Sequence, residues 1–128
     1  MIIHLTTKTA WQAAQHAGAY RADSLEKEGF IHCSTQEQIL PVANFLYRGI
    51  PELVLLWLDP ARVHAEIRWE PPVHPGASEN SESAPAPAAT NLFPHIYGPI
   101  NLNAVFEVVD FLPDVDGIFR QVPGSAVT

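Results

Sequence analysis

Short apolar runs separated by turn-forming residues indicate a chain that is rich in strands. The six residues at 53–58 are all apolar, which is typical of a strand buried on both faces. Four other runs have the length and composition of strands: residues 1–5, 30–33, 67–69 and 105–111. We expect the 53–58 strand to be a central one, because its continuous apolar run leaves no face for solvent.

Two further segments have the apolar spacing of helices. Residues 8–17 follow a threonine that can act as an N-cap, and they precede Gly18, a residue type that commonly ends helices. A second helix is predicted within residues 34–47, where Ser34 and Glu37 have the spacing of a capping box. Strands in the majority, together with two helices that do not alternate regularly with them, predict an α+β fold.

Composition separates one polar insertion from the rest of the chain. Residues 71–91 contain five prolines, five alanines and three serines, and Val73 is their only large apolar side chain. Such a segment can bury little surface, so we expect a loop inserted between two core elements, either a lid or a tolerated surface insertion. The length of 128 residues and the hydrophobic content of 47% suit a single domain, which we place at 1–123 with a frayed tail at 124–128.

The charge balance limits the classes of partner. Seven basic against 14 acidic residues give a net charge of −7, and the basic residues are not clustered. Long polyanions are bound mainly through Lys and Arg, so we expect neither nucleic acids nor anionic membranes as partners. A small phosphorylated ligand is compatible with the sequence because a single pocket needs few cations. The oligomeric state is left open.

Targeting features favour the cytoplasm. The chain starts without the basic and apolar regions of a signal peptide, and no apolar run approaches the roughly 20 residues of a membrane helix. Its one cysteine, Cys33, cannot form an internal disulfide. We therefore expect a cytoplasmic protein.

Three of the six histidines lie in apolar sequence, which is unusual for a titratable side chain. They are His4, His32 and His95. An imidazole buried without hydrogen-bond partners costs about 1–3 kcal/mol, so three of them in one small domain suggest a shared polar cleft. Ser34 and Tyr97 each follow one of these histidines by two positions, and in an extended backbone such pairs share a face. We expect all five side chains to converge on a cleft suited to ribose hydroxyls and an amide.

A metal centre or a cysteine nucleophile would use some of the same residues differently. Cys33 is adjacent to His32, and neighbouring residues on a strand point to opposite faces. The histidines and the cysteine also lack the spacing of a zinc-binding motif. We therefore predict that the protein binds no metal, and that Cys33 packs as a small apolar side chain.

Several motifs together resemble a known protein family. They are GFIHCST at 29–35 with Gln38, the 53–58 run, RWE at 68–70 and FPHIYGP at 93–99. Through them the chain resembles a small bacterial family known as domain of unknown function 952, over about residues 1–112 apart from the loop. The fold of that family is similar to that of the ADP-ribosyltransferases. The resemblance implies a split, twisted β-sheet core with two helices and a cleft that takes NAD as substrate.

The segments IHLT at 3–6 and IHCS at 31–34 resemble two histidine-containing strands of the RNA 2′-phosphotransferases, and this more distant resemblance implies roles for individual residues. His4 would touch the ribose or the amide of NAD, and His32 and Ser34 would line the ribose next to nicotinamide. Together with the cleft expected above and with Glu70, a core carboxylate that could face it, we predict that His32, His95 and Glu70 are catalytic. We predict that the ligand is bound by His4, Tyr20, Arg21, Ser34, Tyr97 and Gly98. Tyr20 and Tyr97 would serve as aromatic shelves, and Arg21 is the arginine nearest to a motif.

Three functions are compatible with the sequence. The first is an NAD-dependent transferase that moves ADP-ribose. The second is a module that binds a nucleotide or a similar small molecule without chemistry. The third is a structural or partner-binding domain.

Overall fold

The computed structural model describes residues 1–71 and 92–124. The predicted insertion at 71–91 therefore lies outside the described residues except for Pro71, and so do residues 125–128 of the predicted tail.

The described residues form eight strands and three α-helices. The strands are β1 (Ile2–Thr7), β2 (Ala19–Tyr20), β3 (Ile31–His32), β4 (Leu53–Leu58), β5 (Glu66–Glu70), β6 (Phe93–Tyr97), β7 (Ile100–Asn101) and β8 (Val105–Phe111). The helices are α1 (Lys8–Ala17), α2 (Asp23–Glu28) and α3 (Gln36–Leu46). The α+β class predicted from the sequence is confirmed. None of these helices is long and apolar enough to cross a bilayer.

The largest sheet has β4 at its centre, as the sequence predicts. β4 pairs antiparallel with β1 on one side and with β8 on the other. Every side chain of β4 is buried, because alternate residues enter two different cores. Val54, Leu56 and Leu58 join the core beneath α1, and Leu53, Leu55 and Trp57 join the core beneath α3.

A second sheet carries the motif residues, with β6 between β3 and β5. Next to this sheet, the backbones of Ile3 in β1 and Ser34 form a bridge and exchange two hydrogen bonds of 2.8 Å. β2 and β7 form a separate pair. The chain is thus folded into short sheets held side by side, and β3 lies where two of them meet.

The prediction of two helices is wrong, since the structure has three. α2 has only six residues, none of them buried, and its N-cap makes no side-chain hydrogen bond. It therefore leaves neither an apolar stripe nor a capping signal in the sequence. The predicted capping box is also one residue early: Thr35 and Gln38 form it, because Ser34 is held in its bridge to Ile3.

Candidate functional site

Polar side chains gather on one face of the β3–β6–β5 sheet. In the register of this sheet, His95 lies opposite His32 on one side and opposite Arg68 on the other. Residues paired across antiparallel strands share a face, so these three side chains form a row. The rings of His32 and His95 are 5.5 Å apart between centroids and meet edge to face.

The Glu70 carboxylate accepts hydrogen bonds from two side chains on this face of the sheet. Its Oε1 accepts hydrogen bonds from Nδ1 of His95 at 2.8 Å and from the Tyr97 hydroxyl at 2.5 Å. The hydrogen bond from Tyr97, followed by that from His95, lowers the pKa of the Glu70 carboxyl. Burial lowers the pKa of His95, although Glu70 acts in the opposite direction. The pair therefore consists of an ionised carboxylate and a neutral imidazole at neutral pH.

Phe30 covers His95. The two rings are stacked, with 4.2 Å between centroids and 20° between planes, and only 1% of the His95 side chain is exposed. Phe30 also contacts the rings of His32 and Tyr97. Gly29, which ends α2 with φ of +91°, turns the chain so that Phe30 lies on the sheet.

A second carboxylate is paired with His32. Glu28, the last residue of α2, accepts a hydrogen bond from Nε2 of His32 at 2.7 Å. The side chains of Glu28, His32 and Glu70 are each between 27% and 32% exposed, so solvent reaches all three. We call the residues of this face the outer cluster: Glu28, Phe30, His32, Glu70, His95 and Tyr97.

His4 belongs to a different, buried group, which we call the inner cluster: His4, Thr6 and Tyr20. Nδ1 of His4 bonds to the His32 backbone carbonyl at 2.6 Å, and Nε2 bonds to the Tyr20 hydroxyl at 2.8 Å. Thr6 and Tyr20 are joined by a further hydrogen bond of 2.9 Å. Burial lowers the pKa of His4 to about 4, so the ring is neutral. A carbonyl can only accept, so His4 carries its proton on Nδ1, and Tyr20 donates its one hydroxyl proton to Nε2. In the hydrogen bond between Tyr20 and Thr6, the Thr6 hydroxyl is then the donor.

The structure separates the residues that the sequence groups together. Among the proposed catalytic residues, His32, His95 and Glu70 all lie in the outer cluster, and Tyr97 lies there with them. His4 and Tyr20 lie in the inner cluster, with both ring nitrogens of His4 bonded inside the protein. The His32 carbonyl links the two clusters, because it accepts the hydrogen bond of His4.

Three other predicted ligand-binding residues have different surroundings. Ser34 is buried beside β1. Arg21 is exposed between β2 and α2. Gly98 is required for packing, since a Cβ atom there would lie 2.8 Å from the Cβ of Ala65.

Comparison with known proteins agrees with the motifs. The family model described as "Protein of unknown function (DUF952)" matches residues 5–108. The chain belongs to this family. The crystal structure of protein CC0527 from Caulobacter crescentus is 27% identical with a TM-score of 0.71, and the match covers 93% of this chain and 92% of that one. The solution structure of CC0527 gives a TM-score of 0.63 at the same identity, covering 93% and 90%. The curated proteins contain no match.

Two residues of the outer cluster in this DUF952 protein were not identified from sequence. Glu28 and Phe30 flank Gly29, and nothing in a single sequence shows that the turn at Gly29 brings them over β6. The spacing of Glu28 and His32 suggests a helical pair, but the helix ends between them. Phe30 has the character of an ordinary core residue.

The described part of this DUF952 protein was also searched for metal-ligand groups and for a reactive thiol. No group of three His, Cys, Asp or Glu side chains within residues 1–71 and 92–124 could hold a metal ion. Burial raises the pKa of the Cys33 thiol, so the reactive thiolate is disfavoured. The contacts of the outer cluster offer hydrogen bonding, carboxylate electrostatics and proton exchange.

Proposed function

We propose that this DUF952 protein binds NAD or a related nucleotide, with the ribose next to the nicotinamide held at the outer cluster. The observation that carries the proposal is the pair of solvent-reached carboxylates, Glu28 and Glu70, each fixed by a histidine on one sheet face. Adjacent ribose hydroxyls are donors that suit such acceptors, and a hydrogen bond to a charged group contributes about 1.5–3 kcal/mol.

Charge supports the same ligand class. The nicotinamide ring of NAD is cationic, and two carboxylates beside it offset that charge. Arg68 lies over the Tyr97 ring, with its guanidinium carbon 4.4 Å from the centroid, and adds a cation at the edge of the cluster. A negatively charged chain without a basic patch is unsuited to a long polyanion but compatible with a single nucleotide.

Transfer of ADP-ribose is a second candidate function, favoured by Glu70. Loss of nicotinamide leaves positive charge on the ribose, and a fixed carboxylate beside it stabilises that charge. The pKa of Glu70 is lowered by its hydrogen bonds with Tyr97 and His95, so the carboxylate is charged at neutral pH. The resemblance to ADP-ribosyltransferases points to the same reaction.

Calorimetry with NAD, ADP-ribose and nicotinamide riboside tests the proposal. Glu70→Gln keeps the shape of the side chain and removes its charge, so we expect NAD to bind at least about tenfold more weakly. Glu37→Gln, on the exposed first turn of α3, is the control and should bind as the wild type does. Equal affinity of wild type and Glu70→Gln, or no binding of any of the three ligands, would refute the proposal. Release of nicotinamide by the wild type would establish cleavage of the bond between nicotinamide and ribose, and ADP-ribose recovered on an acceptor instead of free in solution would establish transfer.

A further inference from the structure

The backbone carbonyl of His32 points away from the strand with which His32 pairs. The amide of Cys33 donates to the carbonyl of Pro94 at 3.1 Å, which continues the register of β3 and β6 by one position. Hydrogen-bonded and non-hydrogen-bonded pairs alternate along an antiparallel ladder, so His32 and His95 form a non-hydrogen-bonded pair, whose backbone groups face outward. The His32 carbonyl therefore needs a donor on the side of β3 that faces β1.

That donor is the side chain of His4. Nδ1 of His4 carries the proton and bonds to the His32 carbonyl at 2.6 Å. The preceding residue in β1, Ile3, exchanges two backbone hydrogen bonds with Ser34, so β1 supplies donors at two successive outward-facing positions of this segment. At Ser34 the donor is a backbone amide, and at His32 it is an imidazole. His4 thus helps to hold β3, a strand of two residues, beside β1.

The ring of His4 is fixed from its other side as well. Tyr20 donates to Nε2 at 2.8 Å, and the centroids of the two rings are 4.8 Å apart. His4 is 5% exposed, and both of its ring nitrogens are bonded inside the protein. This arrangement favours an indirect role for His4 over direct contact with a ligand.

We propose that His4 is a positioning residue for the outer cluster: its hydrogen bond to the His32 carbonyl holds the His32 side chain within reach of Glu28. The bond from Nε2 of His32 to Glu28 is 2.7 Å long, and a shift of the His32 backbone would misalign it, which weakens a hydrogen bond steeply. A Glu28 carboxylate that is no longer fixed binds ribose hydroxyls less well, because ordering it on binding costs free energy. This inference rests on the proposed function, since it names a residue that acts on the same site without touching the ligand.

Two substitutions of nearly equal size separate the donor from the rest of the imidazole. His4→Asn retains an N–H group near the position of Nδ1, His4→Leu has none, and both are too short to replace Nε2 as the acceptor for Tyr20. In nitrogen NMR of the unliganded proteins, the Nε2 resonance of His32 should stay near its wild-type position in His4→Asn. In His4→Leu it should move toward its position in Glu28→Gln, where the carboxylate is absent. If His4→Leu does not fold, His4→Met replaces it, because a flexible thioether fills the same space without a donor.

Calorimetry with NAD measures the consequence for binding. We expect His4→Leu to bind NAD at least about fivefold more weakly than wild type, and His4→Asn to bind within about twofold of wild type. Leu56→Ala is the matched control, since Leu56 lies opposite His4 in the sheet and is fully buried in the core that contains Tyr20. It should lower the melting temperature and leave both the His32 resonance and the affinity for NAD as in wild type.

Three results would overturn the inference. The first is a wild-type affinity for NAD or an unchanged His32 resonance in His4→Leu. The second is an equal loss of affinity in His4→Asn and His4→Leu, and the third is the same set of changes in Leu56→Ala. Failure of NAD to bind to the wild type would instead refute the proposed function, and the His32 resonance of the unliganded variants would still decide whether His4 positions His32.

Discussion

His32 and His95 lie directly opposite each other on antiparallel strands, and each is bonded to a different carboxylate. Their rings are 5.5 Å apart between centroids. One carboxylate, Glu28, comes from the end of a helix, and the other, Glu70, comes from the neighbouring strand. The outer cluster thus contains two similar pairs, one from a short stretch of the chain and one from two neighbouring strands, and its properties can be tested one residue at a time.

Glu70 should control the ionisation of Tyr97. The carboxylate accepts the tyrosine's hydrogen bond and disfavours a second negative charge, and both effects raise the pKa of Tyr97. Glu70→Gln should therefore lower the pKa of Tyr97 toward its ordinary value of 10.0. Titration of tyrosine rings by carbon NMR measures this directly. Glu37→Gln is the control, and an unchanged pKa of Tyr97 in Glu70→Gln would show that the hydrogen bond is not formed in solution.

Acidification should destabilise the protein through His4. The pKa of His4 is about 4 in the folded chain, against the ordinary 6.5, so the unfolded chain binds a proton that the folded chain rejects between these values. Stability is therefore lost as the pH falls from 6.5 toward 4, by about 2 kcal/mol between pH of about 7 and about 5. The lowered pKa of His95 acts in the same direction.

His4→Gln should remove much of this pH dependence, because the amide can form both hydrogen bonds without titrating. Tyr20→Phe is the companion variant: it leaves His4 buried, so the pH dependence should persist. Urea unfolding at the two pH values provides the measurement. If His4→Gln loses as much unfolding free energy between the two pH values as the wild type does, other groups cause the pH dependence.

Gly98 should be intolerant of a side chain for packing reasons alone. A Cβ atom at Gly98 would lie 2.8 Å from the Cβ of Ala65, and a methyl group that close forces the backbone to move. Gly98→Ala should lower the free energy of unfolding by about 1–3 kcal/mol, the usual range for overpacking. Adding Ala65→Gly should recover part of that loss in a double-mutant cycle. Purely additive effects would instead indicate that Gly98 is needed for its own backbone conformation.

Leu55 lies at the centre of the largest sheet and has no exposed surface. Leu55→Ala should lower the free energy of unfolding by about 2–5 kcal/mol, since both transfer energy and packing are lost. Leu112→Ala changes a side chain that is 72% exposed and should have little effect in the same urea titration. Similar small losses for both variants would contradict the central position of β4.

The strongest elements follow from local sequence. Three elements have the predicted bounds: the strands at 53–58 and 105–111 and the helix at 8–17. Apolar runs mark the two strands, and a threonine cap and Gly18 mark the two ends of the helix, so each signal lies within the element or next to it. α2 was missed because a short, fully surface-lying helix leaves no apolar stripe. The predicted insertion cannot be compared, since it lies almost entirely outside the described residues.

Part of the candidate site can likewise be predicted from local sequence, and part depends on the tertiary structure. From the sequence alone, His4, His32 and His95 stand out because imidazoles in apolar strands need polar partners, and spacing alone pairs His95 with Tyr97. Only the tertiary structure decides which partners they find: His4 turns inward to Tyr20, and His95 meets Glu70 and Phe30. The reason is physical. A side-chain period of two fixes the face on which a strand residue lies, but the neighbour across the sheet depends on strand order and register, which are set by the packing of the whole chain.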